Sequence, residues 1–230
     1  MGTALNGSPA DHVAIVTGGS RGVGLAAIRL LAAGGYAVVV NYLHDQRAAE
    51  SAVEAVLAGN GNAVAVRADI ADDLDVDRLF AETIAAFGGI DVVVHAAGSR
   101  VTASALTKAG LDEFDALLRI NTRATFVVNR EAARHLRHGG AIVNLTSSAD
   151  SSSLRTHGLY AVTKAPADVL TRALALELRH RDITVNAVAV EAGRPCAPDR
   201  VADVIAYLLS EHGHGLTGHV LRVGDRGLRP

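Results

Sequence analysis

Residues 17–24 read Thr17-Gly18-Gly19-Ser20-Arg21-Gly22-Val23-Gly24, directly after the apolar run Val13–Thr17 and leading into an amphipathic stretch, Val23–Ala33. A strand that passes through a glycine-rich turn into a helix gathers backbone N–H groups and the positive end of the helix dipole at one point. A pyrophosphate can bind there. The spacing is Gly-x3-Gly-x-Gly rather than the Gly-x-Gly-x2-Gly of the usual dinucleotide fingerprint, so the strand–turn–helix context carries the reading. Gly18, Ser20, Arg21, Gly22, Val23 and Gly24 are the expected contacts. The same residues also match Gly-x-Ser-x-Gly, the nucleophile elbow of hydrolases, with His212 or His214 downstream as a base. An elbow on the first strand leaves no earlier strand to supply an oxyanion-hole loop, so the dinucleotide reading is preferred.

Further apolar runs follow at Tyr36–Asn41, Ala63–Arg67, Ile90–His95, Ala141–Thr146, Ile183–Val188 and His219–Val223. Between them lie helical stretches at Arg47–Ala58, Leu74–Phe87, Leu111–Leu136, Ala161–Arg179 and Asp199–Leu209. The runs are continuous rather than alternating, which is the pattern of strands covered on both faces. Repeated strand–helix–strand units predict an α/β protein with one doubly wound parallel sheet and helices on both faces. No linker or composition shift divides the 230 residues. We expect a flexible tail over 1–10 and a single domain over 11–230.

Composition narrows the function. Apolar residues make up 49% and charged residues 20%, which excludes a disordered chain. With 22 Lys+Arg against 24 Asp+Glu, no strong basic field is available for nucleic acid or an anionic membrane surface. A single cysteine, Cys196, excludes an internal disulfide or a cysteine-rich zinc site. No apolar run is long enough to span a bilayer, and the first ten residues lack the pattern of a signal peptide. The expectation is a cytoplasmic protein without membrane or nucleic-acid partners.

About twenty residues past the glycines, an NAD site usually carries an acid that bonds the ribose 2′-hydroxyl. Here the strand ends Val40-Asn41-Tyr42, while Arg21 sits in the glycine turn and Arg47 lies beyond the strand. A carboxylate would repel a 2′-phosphate, whereas a guanidinium binds it with two charge-assisted bonds. NADPH is therefore expected over NADH, with Asn41 and Tyr42 beside the adenosine. Asp69-Ile70 follows the third strand, placed to accept from the adenine amino group or to cap the next helix. The acidic stretch Asp72–Asp77 lacks the glycine and glutamate of a calcium loop and reads as a helix N-terminus, and the expected chemistry needs no metal.

Tyr160-Ala161-Val162-Thr163-Lys164 places a phenol and an ammonium on one helix face. A tyrosine titrates near 10 on its own, and an adjacent Lys⁺ favours the phenolate and draws that value toward neutrality. Together with the glycine turn, this pair points to acid–base chemistry next to a dinucleotide.

The chain resembles the short-chain dehydrogenases/reductases, and among them the 3-oxoacyl-ACP reductase type. The resemblance is carried by Thr17–Gly24, Asp69-Ile70, Ala96-Ala97-Gly98, Asn121, Ile142–Ser147, Tyr160–Lys164 and Ile183–Ala187, in family order. It implies a Rossmann-type sheet of about seven strands in the order 3-2-1-4-5-6-7. It also implies a catalytic tetrad of Asn121, Ser147, Tyr160 and Lys164, with Tyr160 and Lys164 also on the cofactor. Tyr160 would protonate the substrate oxygen, Ser147 would hold it, Lys164 would bind the nicotinamide ribose, and Asn121 would anchor a relaying water. The family's thirteen-residue step to the tyrosine selects Ser147 over its neighbours Thr146 and Ser148. The implied substrate is a small ketone or aldehyde, free or bound to a carrier protein that Arg172, Arg179 and Arg181 could dock. The helices Leu111–Leu136 and Ala161–Arg179 match those that pair subunits into dimers or tetramers.

Three stretches depart from the family. The Asn-Asn-Ala-Gly turn is His95-Ala96-Ala97-Gly98, which removes two amides and the bonds they would make, leaving His95 as a satisfied turn residue. The Pro-Gly after the sixth strand is absent, and only Arg194–Pro198 separates Gly193 from the next helix, so the long substrate-covering segment is largely missing. The segment between Ser147 and Tyr160 is unusually polar, with Arg155 and His157 available to a substrate anion or simply solvated. These departures keep one rival from another class in view, a catalytically weak NADP-binding scaffold.

Overall fold

The computed structural model describes residues 12–99, 105–148, 154–191, 196–224 and 227–229. The N-terminal tail expected over 1–10 and residues 149–153 of the polar segment after Ser147 lie outside these residues. Strands β1 (Val13–Thr17), β2 (Ala37–Tyr42), β3 (Ala63–Arg67), β4 (Ile90–His95), β5 (Leu136–Ser148), β6 (Thr184–Glu191) and β7 (Val220–Gly224) form one parallel sheet. The order is β3-β2-β1-β4-β5-β6-β7, as the resemblance implies. An eighth strand, β8 (Gly227–Arg229), adds antiparallel to the β7 edge.

Alternate residues of each strand feed opposite cores, which explains the unbroken apolar runs. Val13 and Ile15 of β1 join one core, and Ala14 and Val16 join the other. The first core is closed by α3 (Asp73–Phe87), α5 (Ala124–His135) and α7 (Pro166–Glu177), through side chains such as Leu79, Val128 and Leu174. The second is closed by α1 (Gly22–Ala33), α2 (Gln46–Ala58) and α8 (Pro198–Leu209), through Ile28, Val56 and Ile205. Among the described residues, no helix is long and apolar enough to cross a membrane.

Three boundaries differ from the sequence expectation. The stretch expected as one helix over 111–136 is α4 (Leu111–Leu117), a π-helical turn (Leu118–Arg123) and α5, and Leu136 already pairs with Ile90 in the sheet. The stretch expected as one helix over 161–179 starts earlier, as α6 (Leu154–Lys164) with non-helical backbone at His157. It is then divided at Pro166, whose missing N–H breaks the helical ladder. Two carbonyls at the end of α6 are taken up by threonines instead. Thr122 Oγ1 donates to Thr163 O at 2.7 Å, and Thr146 Oγ1 donates to Lys164 O at 3.4 Å.

The outer surfaces of the π-turn, α5, α6 and α7 frame a groove of about 1060 Å³, lined by residues including Leu118, Phe126, Val162 and Val169. Phe126 is 52% exposed and Val169 68%.

Candidate active site

Every sequence-predicted site residue within the described stretches follows the carboxyl end of a strand or sits on α1, α6 or the π-turn, the edge where ligands bind in open α/β sheets. At the end of β1 the chain turns through Gly18 and Gly22, both at positive φ, into α1. The turn is tight enough that a Cβ on Gly24 would lie 2.2 Å from Gly18 O, so only glycine fits. A Cβ on Gly22, by contrast, would meet nothing within 4 Å. That open cradle of backbone at a helix N-terminus fits a dinucleotide phosphate. Ser20 and Val23 are half-buried beside it and Arg21 is exposed. Asn41 supports the turn rather than facing a ligand. Its carbonyl accepts from Gly19 N at 3.1 Å, while its buried amide donates to Val66 O and Ala68 O. Tyr42 is half-buried at the end of β2.

Asp69 follows β3, and its carboxylate accepts from Ala71 N at 2.9 Å and from Arg119 Nη2 at 2.8 Å. Burial works against its charge, but the bonds from Arg119 and Ala71 and the guanidinium's charge outweigh it and hold the carboxyl below its ordinary value. Ile70 is buried beneath it. Arg123 also reaches this loop, donating to Ala71 O and facing Asp73 at 3.6 Å. The acidic stretch that follows is a helix start, with Asp72 capping α3 through bonds from Leu74 N and Asp75 N.

The turn after β4 packs against the glycine turn, since a Cβ on Gly18 would touch Ala97 Cα at 3.0 Å. Ala96 and Ala97 are half-buried. A Cβ on Gly98 would lie 2.8 Å from Lys164 Nζ and 3.1 Å from Asn121 Oδ1, so a side chain there would displace two predicted site residues. His95 makes two buried hydrogen bonds of its own. Its ring is fully buried, with Nδ1 2.9 Å from Thr17 Oγ1 and Nε2 3.0 Å from Thr125 Oγ1. Burial, reinforced by the charge of Lys164, pushes its pKa down to about 3.

Lys164 is 3% exposed and donates to Ala97 O at 3.2 Å and Leu145 O at 3.3 Å. Tyr160 lies one helical turn earlier on α6, 8% exposed. Ser147 is at the end of β5, and among the described residues its buried Oγ has no hydrogen-bond partner. An orphaned buried hydroxyl is costly unless a ligand completes it. Asn121 sits in the π-turn, buried, and its amide ties three elements together. Oδ1 accepts from Ser99 N at 3.0 Å, and Nδ2 donates to Ser99 O and to Thr163 Oγ1 at 3.0 Å each.

Sequence reasoning missed Thr17, Thr125, Thr163, Arg119 and Arg123. Thr163 carried a usable signal, a buried polar residue between Tyr160 and Lys164 on their helix. The rest act across separations such as the 78 residues from Thr17 to His95, which no local spacing reveals. Of the basic residues read as a carrier-docking surface, Arg181 is committed to Ala133 O and Leu136 O, whereas Arg172 and Arg179 are exposed. His157 lies within 3.0 Å of Thr156 Oγ1, and Arg155 is exposed. His214 faces Asp182, which precedes β6, at 3.6 Å. That is the opposite sheet edge from Ser20, so the hydrolase arrangement does not form there. The connection from β6 to α8 spans only residues 192–197.

A glycine turn at a helix N-terminus, a buried lysine one turn from a tyrosine and, among the described residues, an unpartnered serine hydroxyl lie along one edge of a doubly wound sheet. The chain belongs to the short-chain dehydrogenase/reductase family, and the family model described as enoyl-(acyl carrier protein) reductase matches residues 18–195. Versicolorin reductase 1 of Aspergillus parasiticus is 42% identical over 179 residues, covering 77% of this chain and 68% of that protein. The hydroxynaphthalene reductase-like protein Arp2 of Metarhizium majus is 39% identical over 183 residues, covering 79% and 68%. A short-chain dehydrogenase from Burkholderia cenocepacia, solved in complex with NADP, superposes with a TM-score of 0.83 at 32% identity, covering 95% of this chain and 97% of that one.

Proposed function

We propose that this protein reduces a ketone or aldehyde to an alcohol with NADPH, using Tyr160, Lys164, Ser147 and Asn121. The observation that carries the reading is the buried Lys164 ammonium, one turn from Tyr160 and anchored on two backbone carbonyls, one of them Leu145 O on the strand whose Ser147 hydroxyl has no partner among the described residues. When bound, a nicotinamide dinucleotide supplies the hydride that reduces the carbonyl carbon. The glycine turn and the N-terminus of α1 would hold the pyrophosphate, and Asp69 and Ile70 would flank the adenine. Ser147 Oγ donates to the carbonyl oxygen and fixes its position. Tyr160 gives that oxygen its phenolic proton as charge develops there, and the Lys164 cation stabilises the phenolate left behind. Lys164 would also hold the nicotinamide ribose, and Asn121 holds the turn at Ser99 against α6 so that both groups keep their places.

NADPH is favoured over NADH because Arg21 is exposed in the glycine turn and β2 ends without an acid. The names of the curated relatives make fused-ring aromatic ketones the first substrates to try. The apolar groove beside α5 and α7 supports a homodimer or homotetramer in which a second copy covers Phe126 and Val169. Calorimetric titration with NADPH and NADH tests the cofactor assignment. NADPH should bind more tightly, and Arg21→Ala should weaken NADPH by about tenfold or more, the worth of a charge-assisted bond, while leaving NADH nearly unchanged. Equal losses for both cofactors would remove Arg21 from the assignment, and binding of neither would mean a disabled cofactor site, which overturns the stand-alone reductase and the NADP-binding scaffold alike.

A further inference from the structure

His95 is fully buried, and its two ring nitrogens meet hydroxyls from two different layers of the molecule. Each bond has a direction that the neighbours dictate. Thr125 Oγ1 donates to Asn121 O at 2.6 Å, so it must accept from His95 Nε2–H. Thr17 Oγ1 accepts from Ala97 N at 3.3 Å and donates to His95 Nδ1. The ring is therefore the neutral tautomer with its proton on Nε2, and every donor along the path has one acceptor. From Asn121 the path closes on itself, since the amide of that residue grips Ser99 N–H and C=O, two residues beyond Ala97. Ala97 also receives Lys164 Nζ on its carbonyl.

We propose that His95 is a positioning residue: it closes a ring of hydrogen bonds through Thr17, Ala97, Ser99, Asn121 and Thr125 that fixes the turn carrying Gly98 and the π-turn carrying Asn121 relative to the glycine turn. The ring matters at this place because the ladder is irregular at the π-turn, where Ala124 N reaches back five residues to Arg119 O, and the Thr125 hydroxyl adds a side-chain bond on Asn121 O. Breaking the bond at His95 releases that hydroxyl to rotate, and the bulge loses the contact that sets its depth. Lys164 and Asn121 then lose their common reference, the turn between Ala97 and Ser99. The role in turnover rests on the reading of Asn121 and Lys164 as active-site residues, whereas the mechanical role does not.

The test uses the intact chain with His95→Leu, Thr125→Val, the double variant and His95→Gln, whose amide can still donate to Thr125. Two readouts are taken, hydrogen exchange by mass spectrometry and steady-state kinetics. Loss of a buried bond of this kind should speed exchange about tenfold in the segments containing 96–99 and 118–125, leaving α8 on the opposite face unchanged. In turnover, kcat should fall about tenfold in His95→Leu and in Thr125→Val, with KM for NADPH moving less than about threefold, and the double variant should be no worse than either single one. His95→Gln should recover at least about half of kcat. Uniform acceleration of exchange across the sheet, unchanged exchange at the π-turn, or additive losses in the double variant would overturn the inference. If the unmutated protein turns over no carbonyl at all, the reductase reading fails and the exchange pattern alone decides the mechanical role.

Discussion

A buried imidazole bonded on both nitrogens as a neutral ring stabilises the fold only while it stays neutral. His95 has its pKa lowered from 6.5 to about 3 by burial and by the charge of Lys164, so the unfolded chain takes up a proton over a range where the folded chain does not. Its contribution is complete above 6.5 and is lost as the pH falls from there toward 3, by about 1.4 kcal/mol per pH unit. Thermal melts across this range should show His95→Gln losing less stability on acidification than the unmutated protein. Parallel curves would mean that the ring is not buried and neutral as described. At this scale Tyr160, Lys164 and Ser147 were legible from type and spacing together with resemblance. The bonding of His95 was not, because its partners are 78 and 30 residues away and neither threonine stands out locally.

The elements explain why some boundaries were readable. Strands covered on both faces must be apolar throughout, so β1, β2 and β4 announce themselves as valine-rich runs. Helix continuity was harder to read. The π-turn over Leu118–Arg123 carries no proline or glycine and keeps helical periodicity, so nothing in its composition marks the extra residue. Pro166 was visible, and its effect was understated because α7 resumes at once with the proline in its first turn. The short β8 was missed because Gly227–Arg229 has no strand-like pattern. The π-turn also joins two elements by charge, through Arg119 on Asp69 and Arg123 on Asp73. Asp69 is held below its ordinary 3.8, so its contribution is complete above that value and lost as the pH falls through its folded one. Asp69→Asn should cost up to about 1 kcal/mol at neutral pH, since Arg119 is half-exposed and solvent screens the pair. The difference between variant and parent in denaturant titrations should shrink in acid, and a constant difference would show that the ion pair contributes nothing.

For the molecule as a whole, two cores on either side of one sheet leave α5 and α7 with an apolar outer surface. Phe126 at 52% and Val169 at 68% exposure are costly to leave against water, and a second copy of the same face would cover both. Phe126→Asp should shift the sedimentation profile from an oligomer toward the monomer, and an unmutated protein that sediments as a monomer would refute the pairing. Across the sheet, the glycine turn, the His95–Ser99 stretch, the π-turn and α6 converge on one edge, where we propose that carbonyl reduction proceeds through the Tyr160 phenol. The most direct test is NADPH oxidation by the unmutated protein and by Tyr160→Phe against a panel of fused-ring ketones, with NADPH affinity measured for both. Turnover by the parent, a loss of about a hundredfold or more in Tyr160→Phe and retained NADPH binding are expected. Equal rates in the two proteins would contradict that proposal.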